Sequence, residues 1–216
     1  MPKIEIYNQD CLEAMRGMRD GEYQLALVDI PYGIENQISK GGGSHTKSSV
    51  KFHQLYSENG KKWDKAVAPE YFYELQRVSV NQIIFGANYY NMPACRGFIV
   101  WDKPEMRIPT MSECEYAWTS FNSPAKIARV SRATRGISIS PTQKPVRLYQ
   151  WLLLNYAKPG DHILDTHGGS CSLAIACDLM GYDCTIYEID KDYYDAAVAR
   201  LKKHQSQGKL DFKEEH

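Results

Sequence analysis

The chain has 216 residues, 43% hydrophobic and 24% charged, with 26 basic residues against 26 acidic ones and a net charge of zero. That length suits one α/β domain with a real core and is short for two, and no apolar run nears the roughly 18 residues that a membrane span needs. Membrane insertion is excluded, and since MPKIEIYNQD lacks the apolar stretch of a secretory signal, a single cytoplasmic domain over residues 1–216 is expected. Cys11, Cys95, Cys114, Cys171, Cys177 and Cys184 form no CxxC pair and have no histidine at zinc-ligand spacing. No disulfide framework and no metal site is therefore expected, and most of the six should be buried thiols.

In chain order, KIEIY (3–7) predicts a strand and Gln9 to Met18 a helix with Leu12, Met15 and Met18 at helical spacing. The apolar run YQLALVD predicts a strand over 23–29, followed by a polar segment from Ile34 to about Ala66 and a helix from about Pro69 to Val78. QIIFG (82–86) and GFIVW (97–101) read as strands, and YAWTS with KIARVS as an antiparallel pair. Pro145 opens a helix to Ala157, since proline is tolerated in a first turn, and Lys158-Pro159-Gly160 ends it. HILD is a strand, Ser170 to Met180 a helix, CTIYE a strand, and Lys191 to His204 a helix ending near Gly208. Strands alternating with helices imply a mostly parallel, twisted sheet covered by helices on both faces, with an antiparallel strand. Trp101 and Trp118 are read as core aromatics.

Two stretches carry chemistry. The first is VDIPYG (28–33), a carboxylate, a proline, an aromatic and a glycine at the end of a buried strand. Directly after it comes a segment rich in Gly, Ser, Lys and His, including KGGGSHTKSS, that has no periodicity. Loops of that length in a compact domain tend to be functional, so residues 34–66 are expected to form a mobile loop able to cover the strand end.

The second stretch is HILDTHGGSCSLAIACDLMGYDCTIYEID: strand, Asp165, a glycine turn, helix, strand, and the acidic Glu188 at the second strand's tip. Gly168 and Gly169 let the chain turn tightly beside a ligand. The helix start presents free N–H groups to an anion, and Glu188, about twenty residues on, stands where a carboxylate accepts ribose hydroxyls. The GxGxxG spacing of dinucleotide sites is absent, as is the GK[ST] of a P-loop. Of the common nucleoside cofactors this leaves S-adenosylmethionine, which has no phosphate and whose cationic sulfonium tolerates an acidic surround.

Charge is unevenly spread. From Tyr116 to Gly160 there is no acid, while Lys126, Arg129, Arg132, Arg135, Lys144, Arg147 and Lys158 are basic. From Asp161 to Asp195 eight acids face the single Lys191. The basic half suits a polyanion, the alternative being a solvated basic face.

Together, IYNQDCLEAM, LALVDIPYG, FGANYY, FIVWDK, ECEYAWTS and SPTQKPVRLYQWLLLNYAKPGDHILDTHGGS resemble the beta class of DNA amino-methyltransferases, in which the catalytic motif precedes the cofactor motif. The likeness covers almost the whole chain and is closest to small members found in phages and gut bacteria. It implies a Rossmann-like methyltransferase fold, S-adenosylmethionine as cofactor and DNA as partner, with the chain acting as a monomer or homodimer. It also implies a target-recognition region at about 102–140. The family's Asp-Pro-Pro-Tyr tetrad matches at Asp29, Pro31 and Tyr32, with Ile30 replacing the first proline. Its Asp-x-Phe-x-Gly-Ser-Gly turn matches at Asp165, Gly169 and Ser170 and departs at His167 and Cys171.

The chemistry explains these residue types. An exocyclic amine on adenine or cytosine is a poor nucleophile because its lone pair is delocalised into the ring. Acceptors for its two N–H bonds, assigned to the Asp29 side chain and the Ile30 carbonyl, aim that lone pair at a methyl group. Tyr32 would stack on the target base once it is rotated out of the duplex, and Pro31 fixes the turn. Since every residue has a carbonyl, Ile30 should serve. Cys171 is the graver departure, placing a side chain where the family has glycine beside the cofactor. By resemblance, Asp10 and Cys11 meet the cofactor's adenine, Gln143 and Lys144 its methionine part, and Asp29, Asp165, His167, Gly168, Gly169, Ser170 and Glu188 complete its site. Candidate DNA contacts are Lys40, Lys47, Lys51, Lys61, Lys126, Arg129, Arg132 and Arg135; Lys126 and Arg129 face opposite ways if their segment is a strand. An initial Asp in the tetrad points to adenine, with N4-methylation of cytosine as the alternative. RNA or protein amide methylation ranks below both, and a catalytically inactive cofactor- or DNA-binding module is the reading from outside enzymology.

Overall fold

The computed structural model describes residues 1–33, 64–105, 112–132 and 143–207. Their elements in chain order are β1 (Ile4–Tyr7), α1 (Cys11–Arg16), β2 (Tyr23–Asp29), α2 (Pro69–Val78), β3 (Ser79–Phe85) and a 3-10 turn, Ala87–Tyr89. Then follow β4 (Phe98–Asp102), β5 (Cys114–Thr119), β6 (Lys126–Arg129), α3 (Val146–Tyr156), β7 (His162–Asp165), α4 (Ser172–Met180), β8 (Asp183–Tyr187) and α5 (Lys191–Ser206).

Local sequence explains most of these bounds. Proline stands at the start of α2, whose Tyr71, Leu75 and Val78 recur at helical spacing and are buried. In α3 the buried residues are Leu148, Tyr149, Leu152, Leu153 and Tyr156, again one stripe. β3 begins at Ser79, before the expected Gln82, because the backbone ladder to β2 already runs from Tyr23↔Ser79 and needs no apolar side chain. α1 starts only after Asp10, which caps it, so it is shorter than the spacing of its apolar residues suggested.

The eight strands form one sheet in the order β1-β8-β7-β2-β3-β5-β4-β6, with β5 antiparallel to both neighbours and every other pairing parallel. The expected pairing of YAWTS with KIARVS is thus corrected: β4 lies between them, antiparallel to β5 and parallel to β6. The reason is that the short Ser120–Ala125 connection swings past β4 to the sheet edge instead of closing a hairpin.

Alternation along the strands divides the core into two layers. Leu25, Leu27, Ile83, Phe85, Ile99, Trp101, Ile163 and Ile186 pack under α3, α4 and α5, while Ala26, Val28, Ile30, Ile84 and Leu164 pack under α1 and α2. Trp101 and Trp118 are core residues, 1% and 5% exposed, and each donates its indole N–H to a carbonyl, of Val130 and Pro93. Cys171, Cys177 and Cys184 are buried, Cys11 and Cys95 partly so, and Cys114 is exposed where β5 begins, so half rather than most of the thiols are sealed. No helix among the described residues is long and apolar enough to cross a membrane. The chain leaves β7 towards β8 and leaves β2 towards β3, so the order reverses between β2 and β7. In open α/β sheets that switch point is where a crevice opens at the carboxyl ends of the strands.

Candidate active site

Asp29 ends β2 and Asp165 ends β7, on the two sides of this switch point. Continuing the same alternation past Leu25 and Leu27 places Asp29 beyond the α3-covered face, and Glu188 follows Cys184 and Ile186 likewise. A cleft of about 420 Å³ opens there, lined from β2 by Asp29 to Tyr32, from the start of α1 by Asp10 to Leu12, and from β7 and β8 by Thr166, His167, Gly169 and Glu188. Asp64 to Ala68 and Tyr71 complete the lining. A volume of this size fits a nucleoside-sized ligand.

Each wall is pinned. Asp10 accepts from the backbone N–H of Leu12 and Glu13 at 2.8 and 3.0 Å, satisfying two groups at the start of α1. Glu188 accepts from the N–H of Gly169 at 2.7 Å and of Asp190 at 2.9 Å, tying the glycine turn to the tip of β8. A carboxylate has about four acceptor sites, so Glu188 retains capacity for ligand hydroxyls. Burial raises its pKa, partly offset by these two N–H bonds. Asp64 accepts from Tyr32 and Gly33 N–H at 2.6 and 3.0 Å, and the Tyr90 hydroxyl donates to Pro31 O at 2.5 Å, so the DIPYG turn is held from two sides. The Tyr32 ring stacks on Tyr89, centroids 4.8 Å apart, and Gly86 makes room for it: a Cβ there would stand 2.4 Å from Tyr32 Cε1.

Behind Asp29 lies an ion-pair chain. Lys144 Nζ contacts Asp29 Oδ2 and lies 3.1 Å from Glu115 Oε2, while Glu115 Oε1 lies 2.7 Å from Lys103 Nζ. Burial raises the Asp29 pKa, with Glu115 adding to the shift and Lys144 opposing it. Burial pushes Glu115 up as well, but Lys144 and Lys103 outweigh it and hold it down to about 2. Burial would lower Lys144, yet its two carboxylate partners raise it overall, so it stays charged. Burial likewise pushes Asp165 up to about 7 and His167 down to about 4, leaving a neutral imidazole against Thr166 and Tyr71.

A family model described as DNA methylase, of the N6/N4 type, matches residues 35–199. The chain belongs to the N6/N4 DNA methylase family. Solved structures share the fold of this DNA methylase. Among them are the M1.HpyAVI–SAM complex (TM-score 0.56, 16% identity, 92% of this chain and 98% of that one covered) and PvuII DNA methyltransferase, cytosine-N4-specific (0.60, 12%, 95% and 91%). A third is TTHA0409, a putative DNA modification methylase from Thermus thermophilus, complexed with S-adenosyl-L-methionine (0.54, 14%, 94% and 96%).

In this DNA methylase the cleft brings together Asp10, Cys11, Asp29, Ile30, Pro31, Tyr32, His167, Gly169 and Glu188. The other expected cofactor residues stand back from it. Asp165 is buried and accepts from His167 N–H at 3.0 Å, and Gly168 is packed so closely on β8 that a Cβ would meet Ile186 Cγ2 at 2.5 Å. Ser170 bonds Ser172, its carbonyl is taken by Arg200 at 2.6 Å, and the start of α4 is buried, so its N–H groups do not line the cleft as expected. Gln143 and Lys144 are also buried, and Lys144 serves Asp29 and Glu115 rather than the cleft wall. Cys171 is buried in the core under α4 and does not line the cleft.

Of the expected DNA contacts, Lys40, Lys47, Lys51, Lys61 and Arg135 lie outside the described residues. Lys126 sits at the amino end of β6, on the rim opposite Asp29, and donates to Asn155 at 2.9 Å. Arg129 ends the same strand, on the Asp29 rim, 3.6 Å from Asp102, and the Arg132 N–H donates to Glu105. Lys126 and Arg129 therefore do not share one face. Glu115, Lys103, Asp64, Tyr71, Thr166 and Tyr89 were not anticipated. For Glu115 and Lys103 the one available signal was a charge on each side of the FIVWDK and ECEYAWTS strands, informative only once those strands are known to be antiparallel neighbours.

Proposed function

We propose that this protein transfers a methyl group from S-adenosylmethionine to the exocyclic amine of adenine in DNA, with the base rotated out of the duplex. The carrying observation is Asp29 at the rim of the cleft, with Oδ2 held by Lys144 and Ile30 beside it on a turn pinned by Asp64 and Tyr90. The cleft fits this cofactor: its walls carry Asp10, Asp29, Asp64 and Glu188 with Lys65, a surround that repels phosphates and favours a cation. Asp10 and Glu188 would hold its nucleoside, with His167, Gly169 and Tyr71 around it. When bound, S-adenosylmethionine supplies a methyl carbon that the amine lone pair takes as the electrons of the C–S bond stay with sulfur.

The chain does the rest. Asp29 Oδ1 and the Ile30 carbonyl accept the two amine N–H bonds, keeping the nitrogen lone pair out of the ring. The nitrogen must shed a proton once it has gained carbon, and Asp29, its pKa raised by burial, is the nearest carboxylate to receive it. Tyr32, seated by Gly86 and stacked on Tyr89, presents a ring for the base. The initial Asp of the tetrad supports adenine over cytosine.

Incubating the protein with labelled S-adenosylmethionine and DNA, then digesting to nucleosides, tests the reading. Labelled N6-methyladenine is expected. Label in N4-methylcytosine would move the assignment to the other amine, and label bound to the protein with none in DNA would sink it.

A further inference from the structure

Four charged side chains alternate in sign along the carboxyl-end rim of the sheet: Asp29 of β2, Lys144 just before α3, Glu115 of β5 and Lys103 just after β4. The two ammonium groups are sealed, with side chains 2% and 7% exposed, and each packs on an aromatic ring, Lys144 on Phe85 and Lys103 on Trp101. Glu115 is the hub. Its Oε1 takes Lys103 at 2.7 Å, and its Oε2 takes both Lys144 at 3.1 Å and the Tyr32 hydroxyl at 3.2 Å.

A buried ion pair stabilises a fold little better than apolar groups of the same volume, so stability alone does not account for four charges here. Their effect on Asp29 does. Paired with Asp29 alone, the Lys144 ammonium would be free to bridge both carboxylate oxygens and neutralise them. With Glu115 sharing it, the ammonium makes its ion pair with Asp29 through Oδ2, while Oδ1 takes a long 3.5 Å contact from the Tyr32 hydroxyl. We propose that Glu115, anchored by Lys103, is a positioning residue for Asp29, holding Lys144 and the Tyr32 hydroxyl aside so that one carboxylate oxygen is kept for the substrate amine.

The proposal rests on the methyl-transfer reading above. The charged and titratable groups facing Asp29 are Lys144 and Tyr149 from the α3 side, Glu115 from β5, Asp165 from β7 and Tyr32 from its own turn. Of these, Glu115 disfavours ionisation of Asp29 and Lys144 favours it. Removing the charge of Glu115 therefore lets Asp29 ionise at lower pH.

The test is Glu115→Gln beside the double variant Lys103→Met with Glu115→Gln, which removes the anion without stranding a buried cation. For the first, kcat should fall about a hundredfold, the size expected when a reacting group is misplaced by about an ångström. The KM for S-adenosylmethionine should be unchanged, and the acid limb of the kcat profile should move to lower pH. The double variant should melt like the wild type yet stay slow with the same displaced limb. If its activity returns with its stability, or if either folded variant matches the wild type in rate and pH profile, Glu115 only braces the fold and the proposal is overturned. The wild type is assayed first: no transfer to any DNA defeats the methyl-transfer reading and this proposal with it, whereas transfer by the wild type and equally by Glu115→Gln defeats this proposal alone.

Discussion

Cys171 stands at φ 53, the one non-glycine residue with positive φ among the described residues, just before α4. Left-handed backbone costs an L-residue about 1–2 kcal/mol, which suits the glycine of the Asp-x-Phe-x-Gly-Ser-Gly turn that this stretch resembles. The side chain is nonetheless accommodated, since the thiol points into the core beside Gly168 and burial keeps it protonated. Replacement by alanine keeps the strain and loses the sulfur; replacement by glycine loses both. Urea unfolding should therefore find Cys171→Gly more stable than Cys171→Ala by about 1 kcal/mol, the reverse of the usual order in helices and strands. The sequence marked this residue as a departure but not its direction, because the sign of φ and the side of the turn on which a thiol lies depend on how β7 and β8 enclose the turn.

At the scale of elements, Asp10 joins a helix to the cleft. It caps α1 and lines the cavity at once. Asp10→Asn keeps an acceptor for the Leu12 and Glu13 N–H groups and should leave the melting temperature nearly unchanged, whereas Asp10→Ala should cost about 1 kcal/mol. If the negative charge also serves the ligand, both variants bind S-adenosylmethionine more weakly; calorimetry separates the two roles. The strands and helices around this point were legible in advance because YQLALVD, HILD and CTIYE are short apolar runs next to helices with clear stripes. The antiparallel β5 was not placed: nothing in YAWTS or KIARVS says that β4 lies between them, since strand order comes from long-range pairing. For the same reason Asp29 could be picked from its place at the end of a buried run, while Glu115 and Lys103 could not. Their contact needs the register Trp101↔Glu115 and the neighbour order β3-β5-β4. Lys144 was recognised as a site residue but assigned to the cofactor, because a motif before a helix does not reveal which partner a four-carbon side chain reaches.

For the whole molecule, the buried Asp165 behind the cleft and the half-buried His167 in its wall give stability two opposing pH dependences. Asp165 ionises near 3.8 when unfolded but only near about 7 in the fold, so its contribution is fully present below 3.8 and is lost as pH rises to about 7. His167 binds its proton near 6.5 when unfolded but only near about 4 in the fold, so its contribution is present above 6.5 and is lost as pH falls to about 4. Asp165→Asn keeps an oxygen for the His167 N–H and removes only the first dependence. It should be as stable as the wild type near pH 4 and progressively more stable up to about pH 7, with a constant margin above that, read from denaturant unfolding at stepped pH.

The arrangement as a whole serves one carboxylate, placed where the sheet order reverses, braced by an ion-pair chain behind and a pinned turn in front. The most direct measurement is labelled methyl transfer from S-adenosylmethionine to DNA by Asp29→Ala, with cofactor binding followed by calorimetry on the same sample. We predict transfer lower by at least about a hundredfold, the usual loss when a transition-state acceptor is removed, with cofactor affinity falling far less because Asp10 and Glu188 remain in the cleft wall. Label reaching DNA at the wild-type rate would contradict it.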